Sequence, residues 1–185
     1  MRWLGMVSPA TEEDEKMKVT RRTFLKIGGT GLLMAMVPPW AIAQEEFPRP
    51  SKKDRCPVCG MFPYKYPYWM TGWVFKDGTK VFFCSPKCFF HALHNVSKYF
   101  PGKTRKDIKL LWVTDYYTAE PVRADAPDVY YVVGTSLVGP MGYDVVPVKG
   151  REAAEILMRD YEGIAIKRLD EVTEEDIERV RRVKR

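Results

Sequence analysis

The sequence predicts an α+β domain built from two related halves, each with the order strand, strand, helix, strand. Alternating apolar segments around an Asp-Gly turn predict a β-hairpin within residues 69–83, and a helical and a strand-like segment follow it. The same order returns between residues 129 and 169. All four cysteines lie within residues 56–88, which adds a predicted metal site to the first half. We therefore expect pseudo-duplicated ββαβ halves with a cysteine-rich metal site.

The elements of the first half follow from turn and cap residues. Lys76-Asp77-Gly78 is typical of a hairpin turn. Ser85 is the predicted N-cap of the helix and Pro86 its first residue, because serine accepts a hydrogen bond from a free amide and proline has no amide to satisfy. The helix is expected to end before Pro101-Gly102. The predicted strands are residues 69–75, 79–83 and 109–118.

The second half repeats this order around a Gly-rich loop. Its first strand is rich in β-branched and aromatic residues, and its helix carries apolar residues at helical spacing. The predicted elements are strands at 129–133, 143–148 and 164–169, a loop at 134–142 and a helix at 152–161. A last helix, capped by Thr173, is acidic at its start and basic at its end, which matches the helix dipole. Its basic end could instead form a docking face for an acidic partner or lipid.

Length and charge limit the class of protein. A chain of 185 residues suits one domain with appendages. The net charge of +6 comes from basic residues that are mostly interspersed with acids, so no basic stripe for nucleic-acid binding is expected. The expected division is a signal peptide at 1–43, a linker at 44–55, a metal-binding domain at 56–170 and a charged C-terminal helix at 171–185.

The N-terminal segment resembles a twin-arginine (Tat) export signal. Arg21 and Arg22 precede an apolar run at 27–37 and an Ala41-Ile42-Ala43 cleavage site. Eleven residues are too few for a transmembrane helix, so no stable membrane span is expected in the mature form. The Tat translocase is therefore a predicted partner and the periplasm the expected location, with membrane association if the signal is not cleaved. Met17 is an alternative start of the chain.

The cysteines form a C-x2-C pair and a C-x3-C pair, separated by 24 residues: Cys56 and Cys59, then Cys84 and Cys88. Thiolates are ligands for zinc and for cuprous copper. If the helix has begun by Cys84, the second pair lies on one helix face, with His91 as a weaker ligand three residues further on. Four thiolates would also suit a structural zinc site, and two disulfides or a redox-active C-x-x-C are further alternatives.

Two methionines favour copper over zinc. Met61 and Met141 lie in Gly-flanked loops at matching positions of the two halves, away from the apolar periodicity of a core. A thioether is a good ligand for Cu(I) and a poor one for zinc.

No Ser/His/Asp arrangement, phosphate-binding loop or pair of catalytic acids is found. Asp115, Asp125 and Asp128 are interpreted as strand-end and turn residues, and we expect a binding protein, not an enzyme.

Together these motifs resemble the NosL family over about residues 54–170. The resemblance is carried by Cys59-Gly60-Met61, Tyr130-Tyr131-Val132-Val133-Gly134, Pro140-Met141-Gly142, Pro147 and the helix at 153–163. The family comprises extracytoplasmic copper-binding accessory proteins of nitrous oxide reductase, with a fold similar to that of organomercurial lyase. The resemblance implies Cu(I) binding through Cys59, Met61 and Met141. It also implies delivery of copper to nitrous oxide reductase, a related copper enzyme or the assembly machinery.

The chain also departs from the family. Many members are lipoproteins, whereas this chain has a Tat-like signal and no lipid-attachment cysteine. Cys84 and Cys88 exceed the family pattern, and with the first pair they are similar to small metal-trafficking modules of the TRASH or YHS kind. An exported Cu(I) carrier is therefore the favoured function. The alternatives are a structural zinc module that mediates interactions and an enzyme that uses its thiolates, such as a carbon–mercury lyase or a thiol oxidoreductase.

Overall fold

The structure is a computed structural model that describes residues 47–179. The first half contains β1 (Thr71–Phe75), β2 (Lys80–Phe83), α1 (Pro86–His94), α2 (Val96–Tyr99), β3 (Ile108–Thr114) and β4 (Pro121–Arg123). The second half contains β5 (Val129–Val133), β6 (Val138–Gly139), β7 (Gly142–Tyr143), β8 (Val146–Lys149), α3 (Arg151–Asp160) and β9 (Ala165–Lys167). The helix α4 (Glu174–Arg179) follows, and short 3-10 turns lie at Pro63–Lys65 and Arg105–Asp107.

The two halves share one sheet topology. The first sheet has the strand order β2-β1-β3-β4 and the second β8-β5-β9, and all neighbouring strands are antiparallel. In each half the first strand is central, flanked by the strands before and after the helix. The predicted α+β fold with pseudo-duplicated ββαβ halves is therefore confirmed. The small sheet of β6 and β7 is inserted between the two hairpin strands of the second half.

Aromatic packing forms the core of the first half. The fully buried Trp73 of β1 lies with its ring centre 4.6 Å from that of Phe83 and 5.7 Å from that of Phe89. The ring of Phe100, after α2, lies 5.6 Å away on another side. Such tilted and edge-to-face pairs add to the free energy gained by burying the rings. The packing fixes α1 against the first sheet.

The central strand β5 joins the two halves. Tyr131 and Val133 belong to the core of the first half, and the ring centre of Tyr131 lies 5.1 Å from that of Phe90 on α1. Val132, on the opposite face of the strand, packs with Ala154 and Leu157 of α3. Because successive side chains of a strand point to opposite faces, β5 serves both cores.

Several predicted boundaries were wrong, for local reasons. The single predicted first-half helix is interrupted at Asn95, whose backbone is not helical and whose side chain donates to the His91 carbonyl and to Glu174. The strand predicted at 109–118 ends at Thr114, because the Asp115 carboxylate accepts hydrogen bonds from the amide and hydroxyl of Thr118 and forms a turn.

The predicted strand at 143–148 is divided into β7 and β8, which are separated by Asp144 and Val145. The predicted loop at 134–142 contains β6, which pairs with β7. The strand β4 was not predicted, whereas the remaining observed strands and α3 differ from the prediction by only a few residues at their ends. At α4, Thr173 and Asp176 exchange side-chain and backbone hydrogen bonds, so the predicted cap is observed.

The segment before the first cysteine contacts the domain. Residues 47–55 form no helix or strand, but the ring centre of Phe47 lies 6.4 Å from that of Trp112 in β3. The predicted linker therefore includes a residue that packs on the first sheet.

The predicted export signal, with Arg21 and Arg22, lies outside the described residues. Within residues 47–179, no helix is long and apolar enough to span a membrane.

Gly72 of β1 provides a test of the first sheet. A Cβ at this position would lie 2.5 Å from the Val81 carbonyl oxygen and 2.9 Å from the Trp112 ring. Gly72→Ala should therefore lower the free energy of unfolding by at least about 2 kcal/mol, measured by urea denaturation. Val74→Ala, on the same face of the strand, is the control and should cost less. An equal loss in both variants would contradict the proposed close approach.

Candidate metal centre

The first cysteine pair lies in a knuckle, a tight turn over residues 56–61. The Gly60 amide donates to the Cys56 carbonyl and the Cys56 amide to the Met61 carbonyl, both at 2.8 Å. Gly60 has a positive φ of 76°, a conformation that glycine adopts at little cost. This turn brings the Cys56 and Cys59 side chains to one side of the chain. The sequence predicted the pair, and the backbone explains its geometry.

The second pair lies where β2 passes into α1. Helix α1 begins at Pro86, as predicted, so Cys84 lies before the helix and the condition under which the two thiols would share one helix face is not met. Cys84 is in the bend after β2, and Cys88 is in the first turn of the helix. Their sulfurs are nevertheless 3.8 Å apart, because the bend turns Cys84 back toward the helix.

The four thiols converge on one point. All the Sγ atoms lie within 4.8 Å of one another, and those of Cys59 and Cys84 are 3.3 Å apart. A tetrahedral ion with metal–sulfur bonds of about 2.3 Å would place its ligands about 3.8 Å apart. The cluster therefore has the dimensions to hold one metal ion. None of the four cysteines forms a disulfide.

Burial makes the cluster asymmetric. The residues Cys56, Cys84 and Cys88 are at most 2% exposed, whereas Cys59 is partly exposed. Hydrogen bonds from the Cys84 and Cys88 thiols lower the pKa of Cys56. The hydrogen-bonded Cys56 thiolate in turn raises the pKa of Cys84 and of Cys88. In the metal-free protein, ionisation of Cys56 thus disfavours ionisation of Cys84 and Cys88, and loading of a metal on these thiols would release their protons.

A cavity of about 390 Å³ opens beside the cluster. Cys59 and Cys88 line it together with Met141 and His91, and its other lining residues are Val58, Lys87, Lys98 and Tyr99. Met141 is in the turn between β6 and β7 and is partly buried against the first-half core. The structure therefore brings the predicted thioether of the second half to the same cavity as two of the thiols.

The other two predicted ligands lie in different surroundings. Met61 is partly buried against the first-half core, and its carbonyl holds the knuckle. His91 faces α4, with its Nδ1 3.2 Å from Glu174 and its Nε2 4.0 Å from Glu178. Both ring nitrogens of His91 thus lie near carboxylates, although the ring also borders the cavity.

Asp144 is the residue that the sequence reasoning missed. It is fully buried, and one carboxylate oxygen accepts the Lys87 amide at 2.7 Å and the Val145 amide at 2.9 Å. Ser85 occupies the predicted N-cap position of α1 but makes no side-chain cap. Asp144, which lies in the second half of the chain, instead accepts a hydrogen bond from an amide in the first turn of α1. The signal available in the sequence was a single acid within the apolar run 143–148.

The fold and the thiol cluster define a metal-binding α+β protein with two related halves. Residues 48–177 match the NosL family, and the chain belongs to that family, which confirms the resemblance. The chain is similar to the crystal structure of the copper chaperone NosL from Shewanella denitrificans, with a TM-score of 0.58 and 21% identity over 71% of this chain and 98% of that one. No curated protein sequence matches. Membership in this family confirms the expectation of a protein that is not an enzyme.

Burial of Asp144 predicts a pH dependence of stability. Loss of hydration raises the pKa of this carboxyl from 3.8 to about 7. Smaller effects lower the pKa: hydrogen bonds from Ser85 and from the Lys87 and Val145 amides, and the charge of Lys87. The folded protein therefore holds this proton more tightly than the unfolded chain does. The contribution of Asp144 to stability falls as the pH rises from about 4 to about 7, by up to about 4 kcal/mol.

Asn cannot ionise, so Asp144→Asn should gain stability relative to the natural protein across this pH window. We expect the difference in free energy of unfolding to grow by a few kcal/mol between pH 4 and pH 8. It can be measured by urea denaturation of reduced, metal-free protein. A difference that stays constant with pH would contradict the burial of an ionisable carboxyl at this position.

Proposed function

We propose that the protein is an exported carrier of Cu(I) that supplies copper to nitrous oxide reductase, or to a related copper enzyme, during assembly of its metal centres. Membership in the NosL family supports a copper-binding accessory role. The similar solved protein is described as a copper chaperone. The client enzyme or its assembly machinery is the proposed partner.

The observation that carries the proposal is the meeting of thiols and a thioether at one opening. Four thiols lie within 4.8 Å of one another, and Cys59, the partly exposed one, borders the cavity that Met141 also lines. Soft sulfur ligands of both kinds favour Cu(I). We assign metal binding to the four cysteines and Met141. Met61 and His91 remain predicted ligands that the proposal does not require.

The asymmetry of the cluster suggests how the metal would leave. Three buried thiols would hold the ion from the protein side, and Cys88 among them also borders the cavity. Cys59 and Met141 are the partly exposed sulfur-bearing residues that line it. A ligand of the client would enter through this opening and replace the Met141 thioether first, since a neutral thioether is the weaker ligand. Transfer by stepwise ligand exchange then never releases free Cu(I).

The proposal places the mature domain in the periplasm. Export would use the Tat translocase, which accepts folded proteins, through the signal that contains Arg21 and Arg22. A protein folded in the cytosol would form its thiol cluster before it reaches an oxidising compartment. An uncleaved signal would keep the domain at the membrane.

A structural zinc site is the second candidate function. Three of the four thiols are buried, and their spacing suits the closed tetrahedral shell that zinc prefers. In that case the domain would serve as an interaction module with a zinc-stabilised first half. The two candidates differ in what they require of Met141, because zinc has little use for a thioether.

Met141→Leu should weaken Cu(I) binding about tenfold and leave zinc binding unchanged, because the substitution removes a thioether while conserving volume. Affinities can be measured anaerobically by competition with a chromophoric Cu(I) chelator and a zinc chelator. Met158→Leu is the matched control, since Met158 packs against the second-half core on α3. Unchanged Cu(I) affinity in Met141→Leu would remove Met141 from the site and favour the zinc module.

A further inference from the structure

We propose that Asp144 is a positioning residue that holds the Met141 thioether at the thiol cluster by capping helix α1 from the second half of the chain. The inference rests on the proposed function, in which Met141 is a copper ligand. It goes further by naming the residue that sets the distance between the two kinds of sulfur ligand.

The first step is the link from Asp144 to the cysteine-bearing helix. Its Oδ1 accepts the amide of Lys87, the residue that directly precedes Cys88, at 2.7 Å. A second hydrogen bond joins the same two segments, because the Lys87 Nζ donates to the Tyr143 carbonyl at 3.3 Å. The first turn of α1 and the end of β7 are thus joined by two hydrogen bonds over a sequence separation of more than 50 residues.

The second step is the link from Asp144 to the hairpin that carries Met141. The hairpin is short: β6 and β7 form two residue pairs, Val138 with Tyr143 and Gly139 with Gly142. It rests against Asp144, because a Cβ on Gly139 would lie 3.0 Å from the Asp144 Oδ2. The same Cβ would lie 3.1 Å from the Trp69 ring. The hairpin backbone is therefore packed between this carboxylate and an indole.

The third step joins these contacts to the chemistry. A two-stranded ribbon of this size is too short to hold its turn in one place by itself. Asp144 is buried, accepts a hydrogen bond from a helix amide and contacts the ribbon. It therefore fixes the position of the turn relative to α1. Ligands that are held in place before the ion arrives bind it with a smaller loss of conformational freedom. We therefore assign the placement of the Met141 sulfur near Cys59 and Cys88 to Asp144.

The test separates the acceptor role of Asp144 from its charge. Asp144→Asn keeps an oxygen that can accept the Lys87 amide, whereas Asp144→Leu keeps similar volume and removes the acceptor. Protein labelled with selenomethionine and loaded with one equivalent of Cu(I) would be measured at the selenium edge by X-ray absorption. The copper–selenium scattering that is present in the natural protein and absent in Met141→Leu comes from Met141. The amplitude of this scattering is the quantity compared in the other variants.

We expect Asp144→Leu to lose this copper–selenium scattering and to bind Cu(I) about tenfold more weakly, while Asp144→Asn retains both. Asp115→Leu is the matched control. Asp115 is also a buried carboxylate, and it accepts the Lys149 amide and both donors of Thr118, all outside the cavity. It should lose stability and keep its copper–selenium scattering.

Gly139→Ala is a second variant, which presses on the carboxylate without removing it, and it replaces Asp144→Leu if that protein does not fold. It should reduce the same scattering. Full copper–selenium scattering in Asp144→Leu or, in its place, in Gly139→Ala would overturn the positioning role and leave the copper site intact. If Met141→Leu itself loses no scattering, Met141 is not a ligand, and the ligand assignment of the proposed function fails together with the inference.

Discussion

The arrangement depends on the convergence of two cysteine pairs fixed to one aromatic core. Cys84 directly follows Phe83, and Cys88 directly precedes Phe89; both phenylalanines are fully buried against Trp73. The positions of these two thiols are therefore set by the packing of the first half and not by the metal. The knuckle at residues 56–61 brings the other pair through its own backbone hydrogen bonds. A close-packed core of this kind resists displacement and holds these thiols in place in the metal-free protein.

The second half contributes to the cavity beside the thiols without repeating the thiol cluster. Its own helix α3 begins after Gly150 and carries no cysteine, so the duplicated fold gives one thiol cluster and not two. What the second half adds is a thioether on a short ribbon and a carboxylate that caps the helix of the first half. The strand β5 belongs to both cores, and the contact between its Tyr131 and Phe90 of α1 packs the second half against the first. The sulfur-bearing side chains are divided between the halves, and the cavity lies between the thiols of the first half and the thioether turn of the second.

Local patterns in the sequence were sufficient for the repeated order of strand, strand, helix and strand and for the two cysteine pairs, whereas the meeting of the pairs in one cluster is visible only in the structure. Hairpin turns, helical spacing and close cysteine pairs act within a few residues of each other, so the printed sequence displays them directly. The interruption at Asn95 and the cap from Asp144 were not predictable in this way, because their partners Glu174 and Lys87 are distant in sequence. Ser85 illustrates the limit: it occupies the expected cap position, but the cap comes from a buried acid more than 50 residues away.

The most direct test of the account is the metal content of the protein, expressed with its own signal, exported and purified without chelator. We predict about one copper per chain, held as Cu(I), and removable by a strong Cu(I) chelator without unfolding. That result would support a carrier that holds Cu(I) in a form that a competing ligand can remove. One zinc per chain, with no uptake of Cu(I) and with unfolding when the zinc is removed, would contradict the carrier and identify the cysteine cluster as a structural site.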